Sequence, residues 1–144
     1  MKKWGWMVMF VLAAVGIAKS ARADERSDIE GTVRSFLAAV DRQEPTKVAE
    51  HLHPAFRVVY TVRNAPETTV LDWPTFKKMI EDKKAGGKPR TVKVLGVERE
   101  DTMAIVRTRS EHPTLRFDST ATLVLDGGRW KMIEEAVVMT VKAK

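Results

Sequence analysis

Residues 116–139, RFDSTATLVLDGGRWKMIEEAVVM, decide the fold. Residues 126–128, Asp-Gly-Gly, divide the stretch into two arms, because glycine tolerates the positive φ of a tight turn and aspartate supports it with local hydrogen bonds. Strand side chains alternate between the two faces of a sheet. One face of the first arm then carries Phe117, Ser119, Ala121, Leu123 and Leu125, and one face of the second carries Trp130, Met132, Glu134, Ala136 and Val138. The stretch therefore predicts a long β-hairpin.

The residues before this hairpin show helical periodicity first. Ser27 and Glu30 have the spacing of a capping box, which predicts a helix from Ser27 to about Arg42. A second, short helix is expected to begin at Pro45, since proline fits the first helical turn. The apolar stripe of the first helix consists of Ile29, Val33, Phe36, Leu37 and Val40.

Strand and helix signals then alternate. Residues 56–62 predict a strand, and residues 64–67 a loop. Asp72, followed by Pro74, predicts the start of a third helix that ends at Gly86-Gly87. Its lysines, including Lys77, Lys78, Lys83 and Lys84, are interpreted as a solvated face, with a phosphate or membrane-surface role as the alternative.

Two further strands, residues 90–98 and 102–111, precede the hairpin, and their short connections require antiparallel pairing. The order ααβαββββ predicts an α+β fold with three N-terminal helices packed on one face of a curved, mainly antiparallel sheet. Residues 24–144 are expected to form a single domain.

The first 23 residues have the composition of a secretory signal peptide. A basic start is followed by an apolar run over residues 6–18 and by Ala21-Arg22-Ala23, the small-residue pattern before a cleavage site. Cleavage after Ala23 would deliver the chain to the periplasm or the exterior. An uncleaved anchor is the alternative.

Charge and cysteine content exclude several classes of function. Of the formal net charge of +6, four charges lie in residues 1–23, so the remainder carries only +2 and does not favour nucleic-acid binding. There is no cysteine, which excludes disulfides, thiol nucleophiles and cysteine metal sites. His51 and His53 lie two apart and do not share a helix face, so no metal site is predicted.

Three segments give the chain a family resemblance: residues 33–41 (VRSFLAAVD), 52–56 (LHPAF) and 128–133 (GRWKMI). With the element order, they resemble the nuclear transport factor 2-like superfamily, and within it the SnoaL-like and "putative lumazine-binding" groups. The resemblance covers about residues 29–141. It implies a cone-shaped α+β fold, a pocket between helices and sheet, and homodimers packed through the sheet.

The steroid isomerases of this superfamily provide a comparison at two positions. Their oxyanion-binding tyrosine matches Phe36, and their general-base aspartate matches Tyr60. A phenyl ring donates no hydrogen bond to an enolate, and a neutral phenol is a poor proton acceptor near pH 7. The sequence therefore argues against steroid isomerisation.

Several side chains are expected to surround the implied pocket. No catalytic residue is assigned. Glu134 and Tyr60 are the candidates: Glu134 shares a predicted strand face with Trp130, but a β-bulge or a place at the sheet rim would leave Glu134 in water instead. Neither a cofactor nor a metal is predicted. The predicted ligand-pocket residues are Phe36, Tyr60, Trp73, Phe76, Phe117, Trp130, Met132 and Glu134.

Three functional hypotheses follow. The first is an exported protein that binds a small apolar ligand in a mainly apolar pocket and lacks a complete catalytic constellation. The second is an enzyme of the SnoaL or dehydratase type that uses Glu134 or Tyr60. The third is a structural dimerisation module. A homodimer is the expected partner; nucleic acid and, after signal cleavage, membrane are not.

Overall fold

The structure is a computed structural model that describes the backbone of residues 2–144 and the side chains of residues 22–144. Its elements are α1 (Lys2–Asp41), α2 (Pro45–Ala49), β1 (Leu52–Val62), β2 (Thr68–Asp72), α3 (Trp73–Glu81), β3 (Thr91–Glu100), β4 (Met103–His112), β5 (Leu115–Asp126) and β6 (Arg129–Val141). The helices pack on one face of a curved six-stranded sheet, so the predicted α+β fold is confirmed. Within the described part of the chain, no helix is long and apolar enough to cross a membrane.

The strands follow the order β2-β1-β6-β5-β4-β3. Neighbouring strands are antiparallel except β1 and β6, which are parallel. The last four strands form a meander because each turns directly into the next. β6 therefore lies between β1 and β5, where its inner face meets the helices.

The predicted element order omits one strand, β2. The structure shows that Thr68–Asp72 pairs with β1, with Leu71 opposite Val58. This strand has five residues and a partner on one side only, and it ends at the residue that caps α3. A segment so short carries little alternation for a sequence pattern to detect.

The hairpin of residues 116–139 is confirmed, but one face of β6 was assigned wrongly. Thr122 pairs with Glu134 and Leu123 pairs with Met132, so Ile133 is an extra residue in β6. Such a β-bulge reverses the alternation of side chains beyond it. Consequently Glu135, rather than Glu134, is buried on the inner face. Ala136 and Val138 move to the outer face in the same way.

Helix α1 confirms the predicted apolar stripe but not its predicted start. Ile29, Val33 and Phe36 are almost completely buried. Ser27 lies inside α1, so the helix does not begin with a capping box there, because the preceding residues already supply helical carbonyl acceptors. The predicted signal peptide, residues 1–23, falls almost entirely outside the residues whose side chains are described.

The core lies between the helices and the inner face of the sheet. The Phe36 and Phe56 rings meet edge to face at 5.6 Å between centroids. Leu123 and Met132 of the sheet are fully buried in the same core. This well-packed part of the core lies beside a space that the side chains do not fill.

Candidate functional site

A cavity of about 360 Å³ opens between α1, α3 and the inner face of the sheet. That volume is within the range of small-molecule sites in proteins. Its walls come from elements far apart in sequence, so only the folded chain creates it. The apolar lining consists of Phe36, Val40, Val58, Tyr60, Leu71, Phe76, Met79, Ala85, Leu115, Phe117, Val137 and Met139.

One side of the cavity carries a buried ion pair. Arg90 Nε donates to Asp41 Oδ1 at 2.7 Å, and the backbone N–H of Arg90 donates to Asp41 Oδ2 at 3.2 Å. The side chains are only 9% and 11% exposed. The guanidinium also lies over the Phe117 ring, 5.0 Å from its centroid. Because each charge has a partner, the pair can lie in an apolar wall without an isolated buried ion.

Glu135 contributes a second acidic group to the cavity wall. Burial raises the pKa of the Glu135 carboxyl, and the charge of Asp41 adds to that rise. The positive charge of Arg90 favours the carboxylate and opposes the rise in pKa. Ser119 Oγ is buried without a hydrogen-bond partner among the described residues. Desolvation is the largest of these effects, so the wall favours a protonated, neutral Glu135.

His112 completes the polar side of the cavity. Its Nδ1 accepts a hydrogen bond from the backbone N–H of Thr114 at 3.3 Å. Burial lowers the pKa of the His112 imidazole, and the charges of Lys88 and Arg90 lower it further. A neutral ring that accepts at Nδ1 carries its proton on Nε2. His112 therefore adds no positive charge to the wall at neutral pH.

The loop of residues 82–90, which we call the mouth loop, forms the exposed rim of the cavity. It is fixed to the end of α1, because Gly87 N donates to Asp41 O at 2.9 Å. Gly86 has φ +73°, and a Cβ there would lie 1.9 Å from Val40 O, so only glycine allows this approach. Lys84 and Lys88 are exposed residues of the mouth loop that line the cavity.

The sequence matches a family described as "Putative lumazine-binding" over residues 24–136. The chain belongs to this family. No functionally curated protein matches it.

Solved structures place this lumazine-binding family member in the nuclear transport factor 2-like fold. An NTF2-like protein of unknown function from Silicibacter pomeroyi is 16% identical, with a TM-score of 0.70 over 84% of this chain and 98% of that one. A similar protein from Shewanella baltica is 13% identical, with a TM-score of 0.71 over 81% and 94% of the two chains. A ketosteroid isomerase-like protein from Erwinia carotovora atroseptica is 15% identical, with a TM-score of 0.63 over 83% and 98%.

In this member of the family, four of the eight predicted pocket residues line the cavity: Phe36, Tyr60, Phe76 and Phe117. The other four lie elsewhere. Trp73 packs edge to face on Phe76 without reaching the cavity wall. Trp130 and Met132 are buried in the core beyond it.

Glu134, the fourth of these residues, lies on the outer face of the sheet. Its Oε2 accepts a hydrogen bond from Arg57 Nε at 2.6 Å, and the Arg57 side chain is more than half exposed. The β-bulge at Ile133 places Glu134 there. Glu134 therefore cannot act on a molecule in the cavity. Glu135 occupies the inward position that the sequence predicts for Glu134.

Sequence patterns missed the polar residues of the cavity. Asp41 and Arg90 are 49 positions apart, and no local motif connects them. The sequence predicts Lys84 on a solvated helix face, but α3 ends at Glu81 and leaves Lys84 on the mouth loop. Among residues 22–144, no group of three or more histidine, aspartate or glutamate side chains could hold a metal ion.

Proposed function

We propose that this protein binds a small, mainly apolar molecule in the cavity between α1, α3 and the sheet, without a complete catalytic constellation. The observation that carries the proposal is the mainly apolar lining around a volume of about 360 Å³. Apolar walls with a few fixed polar groups are typical of small-molecule sites. Such walls favour a ligand that loses contact with water when it enters.

The polar groups support binding rather than proton transfer. Asp41 and Arg90 neutralise each other and are held in place. Phe36 has no hydrogen-bond donor, so it cannot stabilise an oxyanion where a steroid isomerase has its tyrosine. Losing one such donor costs about 10²–10³ in rate, so we expect no appreciable isomerisation of a ketosteroid.

A fluorescent apolar probe tests the proposal. N-phenylnaphthylamine is uncharged and fluoresces more strongly out of water. We expect it to bind saturably and in a one-to-one ratio. Leu71→Trp places a larger side chain into the cavity and should abolish the binding, whereas Val70→Trp is the matched control, since Val70 points to solvent on the same strand and is 59% exposed.

Two results would overturn the proposal. Wild-type protein could show no saturable binding of the probe, or Leu71→Trp and Val70→Trp could bind it equally well.

The family description also suggests a direct trial with lumazine, a bicyclic heteroaromatic ring that aromatic walls such as Phe36 and Phe117 could contact. Competition between lumazine and the probe would identify that ligand class.

A second candidate function is favoured by one observation, the buried position of the Glu135 carboxyl in the cavity wall, where desolvation raises its pKa. A buried carboxyl of this kind suits general acid–base catalysis. We therefore propose Glu135, rather than Glu134, as the residue to test if any reaction occurs. Glu135→Gln should alter only affinity if the protein binds without catalysis, and should abolish turnover if it is an enzyme.

We further propose that the mature protein is exported. The support is the order of basic, apolar and small residues in positions 1–23. The family match, which begins at residue 24, agrees with that boundary. The intact mass of protein recovered from an export-competent host should correspond to a chain that starts at Asp24, and full-length protein in the membrane fraction would contradict this.

A further inference from the structure

On the basis of the proposed function, we infer that the natural ligand is an organic anion: an apolar body that enters the cavity, with one acidic group that Lys84 and Lys88 bind at the mouth loop. This inference specifies the ligand class of the cavity. It rests on the distribution of charge around the wall and on the position of the two lysines.

The charged side chains of the cavity do not balance. Its acidic members are Asp41 and Glu135, and its cations are Lys84, Lys88 and Arg90. Asp41 and Arg90 form the buried pair. Glu135 is fully enclosed, which favours its neutral form. Three cations in the wall face two carboxylates, so an excess of positive charge remains at the rim, where the two lysines lie.

Lys84 and Lys88 are also free to bind an anion. The ion pairs of the described residues that use a lysine involve Lys47, Lys77, Lys78 and Lys142. On α3 the lysines pair with acidic residues four positions later, Lys77 with Glu81 and Lys78 with Asp82. Lys84 and Lys88 form no such pair, because the chain has left the helix and no acidic residue follows at that spacing.

The mouth loop holds these lysines in a defined place. Gln43 Nε2 donates to Ala85 O at 3.1 Å, and the backbone of Gly87 donates to the end of α1. Lys84 and Lys88 flank this anchored segment. A site whose backbone is already fixed loses less conformational entropy when a ligand binds. The anchored rim therefore favours a constant position for the acidic group of the ligand.

The interior and the rim of the cavity contact different parts of the ligand. The apolar residues of β1, β2 and α3, such as Val58, Leu71 and Phe76, lie on the cavity interior. The lysines lie at the exposed edge, where an acidic group keeps its contact with water. An exposed charge pair contributes little and is screened by salt, so the lysines select among ligands more than they drive binding.

Two probes with the same aromatic body test this inference. Anilinonaphthalene sulfonate carries a sulfonate that N-phenylnaphthylamine lacks. We expect the anionic probe to bind more tightly, and its affinity to fall about five- to tenfold in the Lys84→Gln/Lys88→Gln variant, the scale of one or two solvent-exposed ion pairs. The affinity of the uncharged probe should not change. Added salt should weaken only the anionic probe.

A matched control separates local from general charge effects. Lys93→Gln/Lys144→Gln removes the same charge from lysines that lie outside the cavity wall and outside the ion pairs of the described residues. It should leave both affinities unchanged. Leu71→Trp should prevent binding of both probes, which shows that they share the cavity.

The outcomes distinguish the two proposals. If neither probe binds, the proposed function fails. If the uncharged probe binds in the cavity but the sulfonate gives no gain, or if the two lysine variants behave alike, the cavity binds ligands without selecting anions. That result would overturn this inference and leave the proposed function intact.

Discussion

Arg90, the last residue of the mouth loop before β3, and Asp41, the last residue of α1, form an ion pair of 2.7 Å between Nε and Oδ1. The backbone N–H of Arg90 binds the second carboxylate oxygen, so two donors of one residue hold both oxygens of the other. Arg90 Nη2 also donates to Leu37 O at 3.4 Å. The pair therefore fixes the helix to the sheet at the side of the cavity.

Asp41→Ala should destabilise the protein by about 3–5 kcal/mol, because it leaves the buried Arg90 guanidinium without its carboxylate partner. Urea unfolding followed by tryptophan fluorescence measures the change. Glu44→Ala is the control, since Glu44 forms an exposed ion pair with Arg42 at 3.0 Å and should change the free energy of unfolding by less than about 1 kcal/mol. Equal effects of the two substitutions would contradict a buried pair at Asp41.

The same pair shows where sequence reasoning reaches its limit. Periodicity predicted the helix that carries Asp41, because its signal lies within a few turns of chain. It could not predict that Asp41 meets Arg90, because that contact depends on how the helix packs on the sheet. The hairpin of residues 116–139 was predictable for the opposite reason, since its turn and both arms are continuous in sequence.

The β-bulge at Ile133 explains the main error in the candidate site. Strict alternation from Trp130 assigns Glu134 to the inner face, and one extra residue transfers that place to Glu135. The residues Ile-Glu-Glu contain no glycine or proline to indicate a bulge. Four aromatic residues of the predicted pocket line the cavity, since large apolar side chains usually turn away from water.

Gly86→Ala should destabilise the protein by more than the backbone strain of a positive φ alone would cause. Its φ is +73°, and a Cβ would lie 1.9 Å from the backbone oxygen of Val40. Gly128→Ala is the matched control, since its φ is +76° with no atom within 4 Å of a Cβ. We expect about 1–2 kcal/mol for Gly128→Ala and a distinctly larger loss for Gly86→Ala.

Thermal unfolding of the two alanine variants measures this difference. Gly86→Ala should also weaken N-phenylnaphthylamine binding, because the mouth loop must move away from α1. Indistinguishable melting temperatures for the two variants would mean that the loop is not held against Val40.

We propose that two copies of the chain pair through the outer face of the sheet. Met103 and Ile105 are 51% and 41% exposed there, and Val124 pairs with Met103 on the neighbouring strand. Light scattering at micromolar concentration should give a dimer mass for wild type and a monomer mass for Ile105→Glu. Val70→Glu, an exposed apolar position on the edge strand β2, should remain dimeric. A monomer mass for wild type would contradict the proposal.

The last prediction concerns the pH dependence that Glu135 gives to stability. Burial raises the pKa of Glu135 above its ordinary value of 4.5. As the pH rises past 4.5, the unfolded chain releases this proton while the folded chain retains it, so the folded state binds more protons. The contribution of Glu135 to stability therefore falls as the pH rises from 4.5 toward the raised pKa of the folded state.

Glu135→Gln keeps the shape of the side chain and removes its ionisation. The variant should become more stable than wild type as the pH rises above 4.5, by about 1–3 kcal/mol, the cost of an uncompensated buried group. Carboxyls with a lowered pKa, such as Asp118, act in the opposite direction but equally in both proteins, so they cancel in the difference.

Glu134→Gln, on the outer face beside Arg57, is the control and should differ in stability from wild type by less than about 1 kcal/mol throughout. Urea unfolding of the three proteins from pH 4 to pH 9 measures the curves. A Glu135→Gln variant that loses stability relative to wild type as the pH rises would mean that Glu135 is ionised in the folded protein and that its charge is compensated by Arg90.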